Sequence, residues 1–159
     1  MVLPSTYCVA LLAGWLKVHC DASLAEDIAG VGIEFCVRDA AGSDLIRTSS
    51  IHKNISVFYP YGYKLLAIGK SVALAIDSGV SKIIVESYGK GAIDLILSPD
   101  PCLNEFDIVP GYILDFPKRA EIFFYFVPRN CNKVAYGFTL HALFLYLRRV
   151  GTLYFQIKL

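Results

Sequence analysis

Trp15 to Gly42 reads WLKVHCDASLAEDIAGVGIEFCVRDAAG, and the spacing of its apolar residues decides the fold. Leu16, Val18 and Cys20 alternate with Lys17, His19 and Asp21, the two-residue period of a strand buried on one face. Asp21 then lies on the polar side, near the strand's end. Val31, Ile33, Phe35 and Val37 repeat the alternation against Gly32, Glu34, Cys36 and Arg38. Asp39-Ala40-Ala41-Gly42 supplies a turn, because an Asp carboxylate accepts from backbone N–H groups just ahead of it and glycine tolerates positive φ. A further arm from Asp44 to Ser50 completes an antiparallel three-strand meander. An acid on such a strand is a candidate metal ligand, although a lone acid is more often a solvated edge residue.

Beyond the meander the period changes. Leu65, Ile68, Val72 and Ile76, between Tyr63 and Gly79, recur at three- and four-residue steps, which predicts a helix with an apolar stripe and a glycine stop. Lys64 falls in its first turn. Lys82 to Glu86, centred on Ile83, Ile84 and Val85, has the continuous apolar character of a central strand, and Ile93, Ile96 and Leu97 predict a short helix after it. A helix is expected from Asn104 to Phe116, either starting late at Pro110 or kinked there, because proline removes a backbone donor. Ile122 to Val127 is an aromatic-rich buried strand, and Val134, Phe138, His141 and Leu145 mark a last helix. The expected architecture is α/β: a mixed five-stranded sheet with an antiparallel three-strand meander, flanked by helices.

Bulk composition narrows the classes of function. A chain of 159 residues fits one domain with a substantial core. Its 15 basic and 14 acidic residues leave a formal net charge of +1, so any contact with a polyanion must come from a local patch. Five cysteines, an odd number with no C-x-x-C pair, read as reduced thiols in an intracellular protein, nuclear or cytoplasmic. The apolar fraction of 55% and mean hydropathy of +0.52 are high, yet no run of about 18 uncharged residues is present, and no membrane role is expected. The run from Met1 to Leu16 lacks the basic start of a signal peptide, and Val134 to Leu147 is too short to span and carries His141. The apolar excess is expected in the core and on a face that a protein partner covers.

Four segments together carry a resemblance. Asp21-Ala22-Ser23, Tyr63-Lys64-Leu65-Leu66-Ala67-Ile68, Val85-Glu86-Ser87-Tyr88 and Arg129-Asn130-Cys131-Asn132-Lys133-Val134-Ala135-Tyr136 fall in the element order of the ribonuclease H-like domain. The chain resembles the plant retroelement-derived, reverse-transcriptase-associated type. The resemblance spans residues 14–147, leaving 1–13 and 148–159 as terminal extensions.

In that family an acid on the first strand, a glutamate opening the first long helix, an aspartate ending the next central strand and an Asp or His on the last helix surround two magnesium ions. Here the resemblance keeps Asp21 and substitutes the rest: Lys64 for the glutamate, Tyr88 for the aspartate and Tyr136 for the last ligand. Two cations about 4 Å apart need several carboxylates to neutralise them, whereas tyrosine is neutral and lysine reverses the sign. The Lys64 ammonium is therefore expected to approach Asp21 in place of a cation, with Tyr88 or Tyr136 offering a hydroxyl to the same carboxylate. Glu86 and Asp94 are poor replacements, Glu86 lying about 7 Å back along the strand.

The resemblance further assigns Ser23, Arg129 and Asn132 to substrate contact, although each also suits ordinary turn or cap chemistry. His19, His52 and His141 do not cluster at metal-ligand spacing, and Gly89-Lys90-Gly91 is too short for a phosphate cradle. What the resemblance implies is a nucleic-acid-associated domain, impaired in catalysis and holding magnesium weakly or not at all. The alternatives are an active magnesium-dependent endonuclease cutting the RNA strand of RNA–DNA hybrids, and a protein-interaction module that reuses the fold, using the aromatic segment Leu143 to Phe155.

Overall fold

A computed structural model describes residues 11–25, 30–53, 61–99, 111–131 and 155–158. Strands β1 (Leu16–Ala25), β2 (Gly30–Arg38) and β3 (Asp44–Lys53) form the antiparallel meander. Its second turn is built as the sequence predicts: Asp39 Oδ1 accepts from the N–H groups of Ala41 and Ser43, both at 2.9 Å, and Gly42 has φ of 81°. Helix α1 (Gly62–Asp77) then leads to β4 (Lys82–Ser87), which pairs parallel with β1. Helix α2 (Lys90–Leu97) follows, and β5 (Glu121–Phe126) adds parallel to β4. These five strands are the mixed sheet expected from the sequence.

A sixth strand, β6 (Phe155–Lys158), pairs antiparallel with β3, giving the order β5-β4-β1-β2-β3-β6. It falls within the segment read as a C-terminal extension. Helix α3 (Gly111–Asp115) lies in the C-terminal part of the helix expected from Asn104 to Phe116, and residues 104–110 lie outside the described residues. The expected closing helix lies outside the described residues, with Tyr136, Asn132 and His141. Among the described residues no helix is long and apolar enough to cross a membrane.

The main core joins Val18 and Cys20 of β1, Phe35 and Val37 of β2, Leu65, Ile68 and Val72 of α1, and Ile83 and Val85 of β4. Helix α1 ends in a Schellman motif, in which Gly79 N–H reaches Ile76 O at 2.9 Å and Val80 N–H reaches Ala75 O at 3.1 Å, with Gly79 at φ of 89°. In α2 the buried residues are Ala92, Ile93 and Leu95, while Leu97, one of the residues that predict this helix, is exposed.

The side of β1 and β2 read as polar and solvated requires a larger correction. Lys17, His19, Asp21 and Glu34 are all buried. Strand β1 is central in the sheet, its side chains are buried on both faces, and it continues to Ala25, so Asp21 sits within the strand rather than near its end.

Ile68 is fully buried whereas Leu97 is exposed. Ile68→Ala is expected to lower unfolding stability by about 2–5 kcal/mol and Leu97→Ala by less than about 0.5 kcal/mol, measured by urea denaturation.

Candidate functional site

Helix α1 is anchored through Leu65, Ile68 and Val72, and that packing fixes where its first turn points. Lys64 precedes Leu65 and is itself buried. Its stem crosses Gly89, where an added Cβ would lie 3.2 Å from both Cβ and Cγ of Lys64. The side chain therefore runs inward, and its ammonium meets three oxygens. Nζ donates to Asp21 Oδ1 at 2.7 Å, to the Ala22 carbonyl at 2.5 Å and to the Tyr88 hydroxyl at 2.6 Å. An ammonium has three donors, and these contacts use all of them.

Asp21 is held from a second direction, since its Oδ1 also accepts from Ala22 N–H at 2.6 Å. Its other oxygen, Oδ2, is buried and accepts no hydrogen bond among the described residues. Tyr88 lies one residue past β4, so the strand's alternation stops before it. Burial, and then the charge of Asp21, push the Tyr88 phenol up to about 12, with Arg129 opposing. Arg129 stands in a 3-10 turn at Arg129–Cys131, its Cζ 4.8 Å from the centre of the Tyr88 ring, within the range of a cation–π contact.

The structure thus gathers Asp21, Lys64, Tyr88 and Arg129. The tyrosine hydroxyl accepts from the ammonium and also bonds the Asp21 carboxylate, the partner expected from the sequence. Ser23 Oγ is buried and makes no hydrogen bond among the described residues. Asn132 and Tyr136 lie outside them.

Glu86 is drawn elsewhere. It is fully buried, 2.9 Å from Lys17 Nζ and 3.4 Å from His19 Nδ1. Pairing of His19 with Glu86 in the β1–β4 register places this contact two residues before Asp21 on β1. His19 is thereby a core histidine beside a carboxylate. Neither this contact nor the burial of Lys17 was legible from the alternating pattern.

Beside Lys64 opens a cleft of about 460 Å³, lined by Tyr61, Tyr63, Lys64, Tyr88, Gly89, Lys90, Gly91 and Asp94. Tyr61 was not singled out in the sequence, Tyr63 entered only as the first residue of the helix-opening motif, and Gly89-Lys90-Gly91 was read as too short for a phosphate cradle. Its glycines accommodate neighbouring side chains: the Tyr61 ring lies against Gly91 as the Lys64 stem lies against Gly89.

As a metal site the donors fit poorly. Hard divalent cations require several oxygen ligands, and Asp21 already receives an ammonium on one of its two oxygens. No three His, Cys, Asp or Glu side chains converge at metal-ligand spacing among the described residues.

The sequence matches no protein-family model and no curated protein. Solved structures do match. RNase H1 from the halophilic archaeon Halobacterium salinarum NRC-1 superposes with a TM-score of 0.66 at 13% identity, covering 81% of this chain and 97% of that one. The N-terminal RNase H domain of a Mycobacterium tuberculosis protein, solved as a fusion with maltose binding protein, gives 0.63 at 13%, covering 86% and 99%. LC11-RNase H1 in complex with an RNA/DNA hybrid gives 0.52 at 14%, covering 74% and 88%. At such identities the likeness shows the fold, which is that of ribonuclease H.

Removing Lys64 would leave the Asp21 carboxylate buried without its countercharge. Lys64→Met is expected to cost about 3–5 kcal/mol of stability, and Lys64→Met combined with Asp21→Asn distinctly less than the two single changes added together. A double-mutant cycle in urea measures this coupling. The raised Tyr88 phenol also sets a pH dependence. An unfolded tyrosine loses its proton near pH 10 and the folded Tyr88 near 12, so the unfolded state binds fewer protons between them and stability falls as pH rises through that window. Tyr88→Phe is expected to flatten this part of the stability–pH curve.

Proposed function

We propose that this chain is a nucleic-acid-associated domain of ribonuclease H type whose hydrolytic site has been closed by its own lysine. The observation that carries the reading is the Lys64 ammonium 2.7 Å from Asp21 Oδ1. In two-metal hydrolysis of a phosphodiester the cations hold the attacking and leaving oxygens, and several anionic ligands must hold the cations. The described residues put a cation of the protein against the retained carboxylate instead, and Tyr88 remains neutral across physiological pH. Lys64 supplies charge balance without a coordination position for water or phosphate.

Several features support an association with nucleic acid in the absence of cleavage. The fold is shared with an RNase H1 solved on an RNA/DNA hybrid, and Arg129 and Lys90 provide exposed cations around Tyr88 and the cleft. Ser23 and Arg129 are retained near Asp21 and Tyr88 as candidate backbone contacts, and Asn132 belongs to the same proposed set. A plant retroelement origin accounts for the substituted ligand motifs, and the buried, reduced thiols of Cys20 and Cys36 suit a nuclear or cytoplasmic setting.

The test is cleavage of a labelled RNA–DNA hybrid in magnesium or manganese, with binding followed in parallel by gel shift. The expected result is retained hybrid binding and no metal-dependent cleavage above that of Asp21→Asn. Cleavage by the wild type that Asp21→Asn abolishes would overturn the reading in favour of an active endonuclease. Lys64→Glu, Tyr88→Asp and Tyr136→Asp together are expected to restore measurable cleavage if the scaffold still presents the hybrid.

A further inference from the structure

We infer that the cleft beside the Lys64–Asp21 pair binds an unpaired nucleobase of a single-stranded nucleic acid, with Tyr61 as the stacking platform and Lys90 contacting the adjoining phosphate. This rests on the nucleic-acid reading and specifies the ligand that the closed site takes.

The chemistry of the walls points to a flat, aromatic and anionic ligand. Tyr61, Tyr63 and Tyr88 all line the cleft, which at about 460 Å³ is large enough for one nucleotide unit but too small for a duplex to enter. Tyr61 is held in place on one side, because its ring lies against Gly91 so closely that an added Cβ would overlap it. The residue is nonetheless 39% exposed. A ring fixed on one side and open elsewhere loses little freedom when a base stacks on it, and stacking on aromatic side chains accepts any base. Tyr88 is less suitable as a platform, since Lys64 Nζ and Arg129 Cζ already lie 3.9 Å and 4.8 Å from its ring centre.

Charge favours the same ligand. The three donors of Lys64 are consumed inside the protein, so it contributes no phosphate contact. Lys90 can: its ammonium pairs with Asp94 at 2.5 Å, but the two side chains are 65% and 58% exposed. An exposed pair four residues apart on a helix is worth little, so exchanging Asp94 for a phosphate costs the protein correspondingly little. Arg129, on the far side of Tyr88, adds a second exposed cation near the path of the strand.

The experiment is fluorescence anisotropy of the full chain with three labelled probes: an oligothymidylate of about ten nucleotides, an abasic oligomer of equal length and an RNA–DNA hybrid. The oligothymidylate is expected to bind about tenfold or more tightly than the abasic oligomer, Tyr61→Ala to remove most of that difference, and Tyr61→Phe to preserve it. Lys90→Ala is expected to reduce the slope of log K against log salt by about 0.7. Equal binding of the abasic oligomer, or unchanged affinity in Tyr61→Ala, would overturn the inference and leave a polyanion contact. Should Tyr61→Ala fail to fold, the abasic comparison and Lys90→Ala still decide the matter. Binding of the hybrid without the single strand would overturn this inference alone, whereas binding of neither would overturn the nucleic-acid reading as well.

Discussion

A charge carried into the interior of a sheet must be met there by an opposite one, and this constraint organises the centre of the molecule. Strand β1 lies between β4 and β2 and brings Lys17, His19 and Asp21 into burial. Taking an ion out of water costs several kcal/mol even after relaxation, so each needs a partner at the same depth. Glu86 of β4 meets Lys17 and His19; Lys64 of α1 meets Asp21. The two arrangements tie strand to strand and helix to strand, fixing the approach of α1 and β4 to β1 more specifically than apolar packing alone.

The same constraint separates the structural carboxylates from the one at the candidate site. Glu86 is enclosed by its partners. Asp21 has its lysine on one oxygen and lies beside the cleft that Lys64 and Tyr88 line. Lys64 is placed there by local geometry: a glycine under its stem, an apolar helix face behind it and three acceptors from β1 and the end of β4 around its head. The open cleft begins where that enclosed polar group ends.

Much of the fold was legible because its periods are clean. The alternation from Leu16 through Val37, the helical spacing of Leu65, Ile68 and Val72, and the apolar run at Ile83 to Val85 each name one element type. The substituted segments also named Lys64 and Tyr88, which the structure brings to Asp21. What alternation does not report is whether the polar side of a strand is solvated, and so the burial of Lys17, His19 and Glu34 was missed. Pairing across long sequence distances was missed as well: β6 comes from a short segment whose partner, β3, lies about a hundred residues earlier. The roles of Gly89 and Gly91 depend on side chains from the start of α1, which no local pattern around those glycines discloses.

The Lys64 triangle has a consequence for how the sequence can change. Its members are interdependent, so the effect of altering one depends on the state of the others. Glutamate at position 64 alone would set a second carboxylate against Asp21 and leave the Ala22 carbonyl and Tyr88 hydroxyl without their donor. Neutralising Asp21 alone would strand a buried ammonium. Each of these two one-step routes therefore crosses a less stable protein, and the site is under epistatic constraint: the charged pair resists piecemeal reversion whether or not its chemistry is under selection.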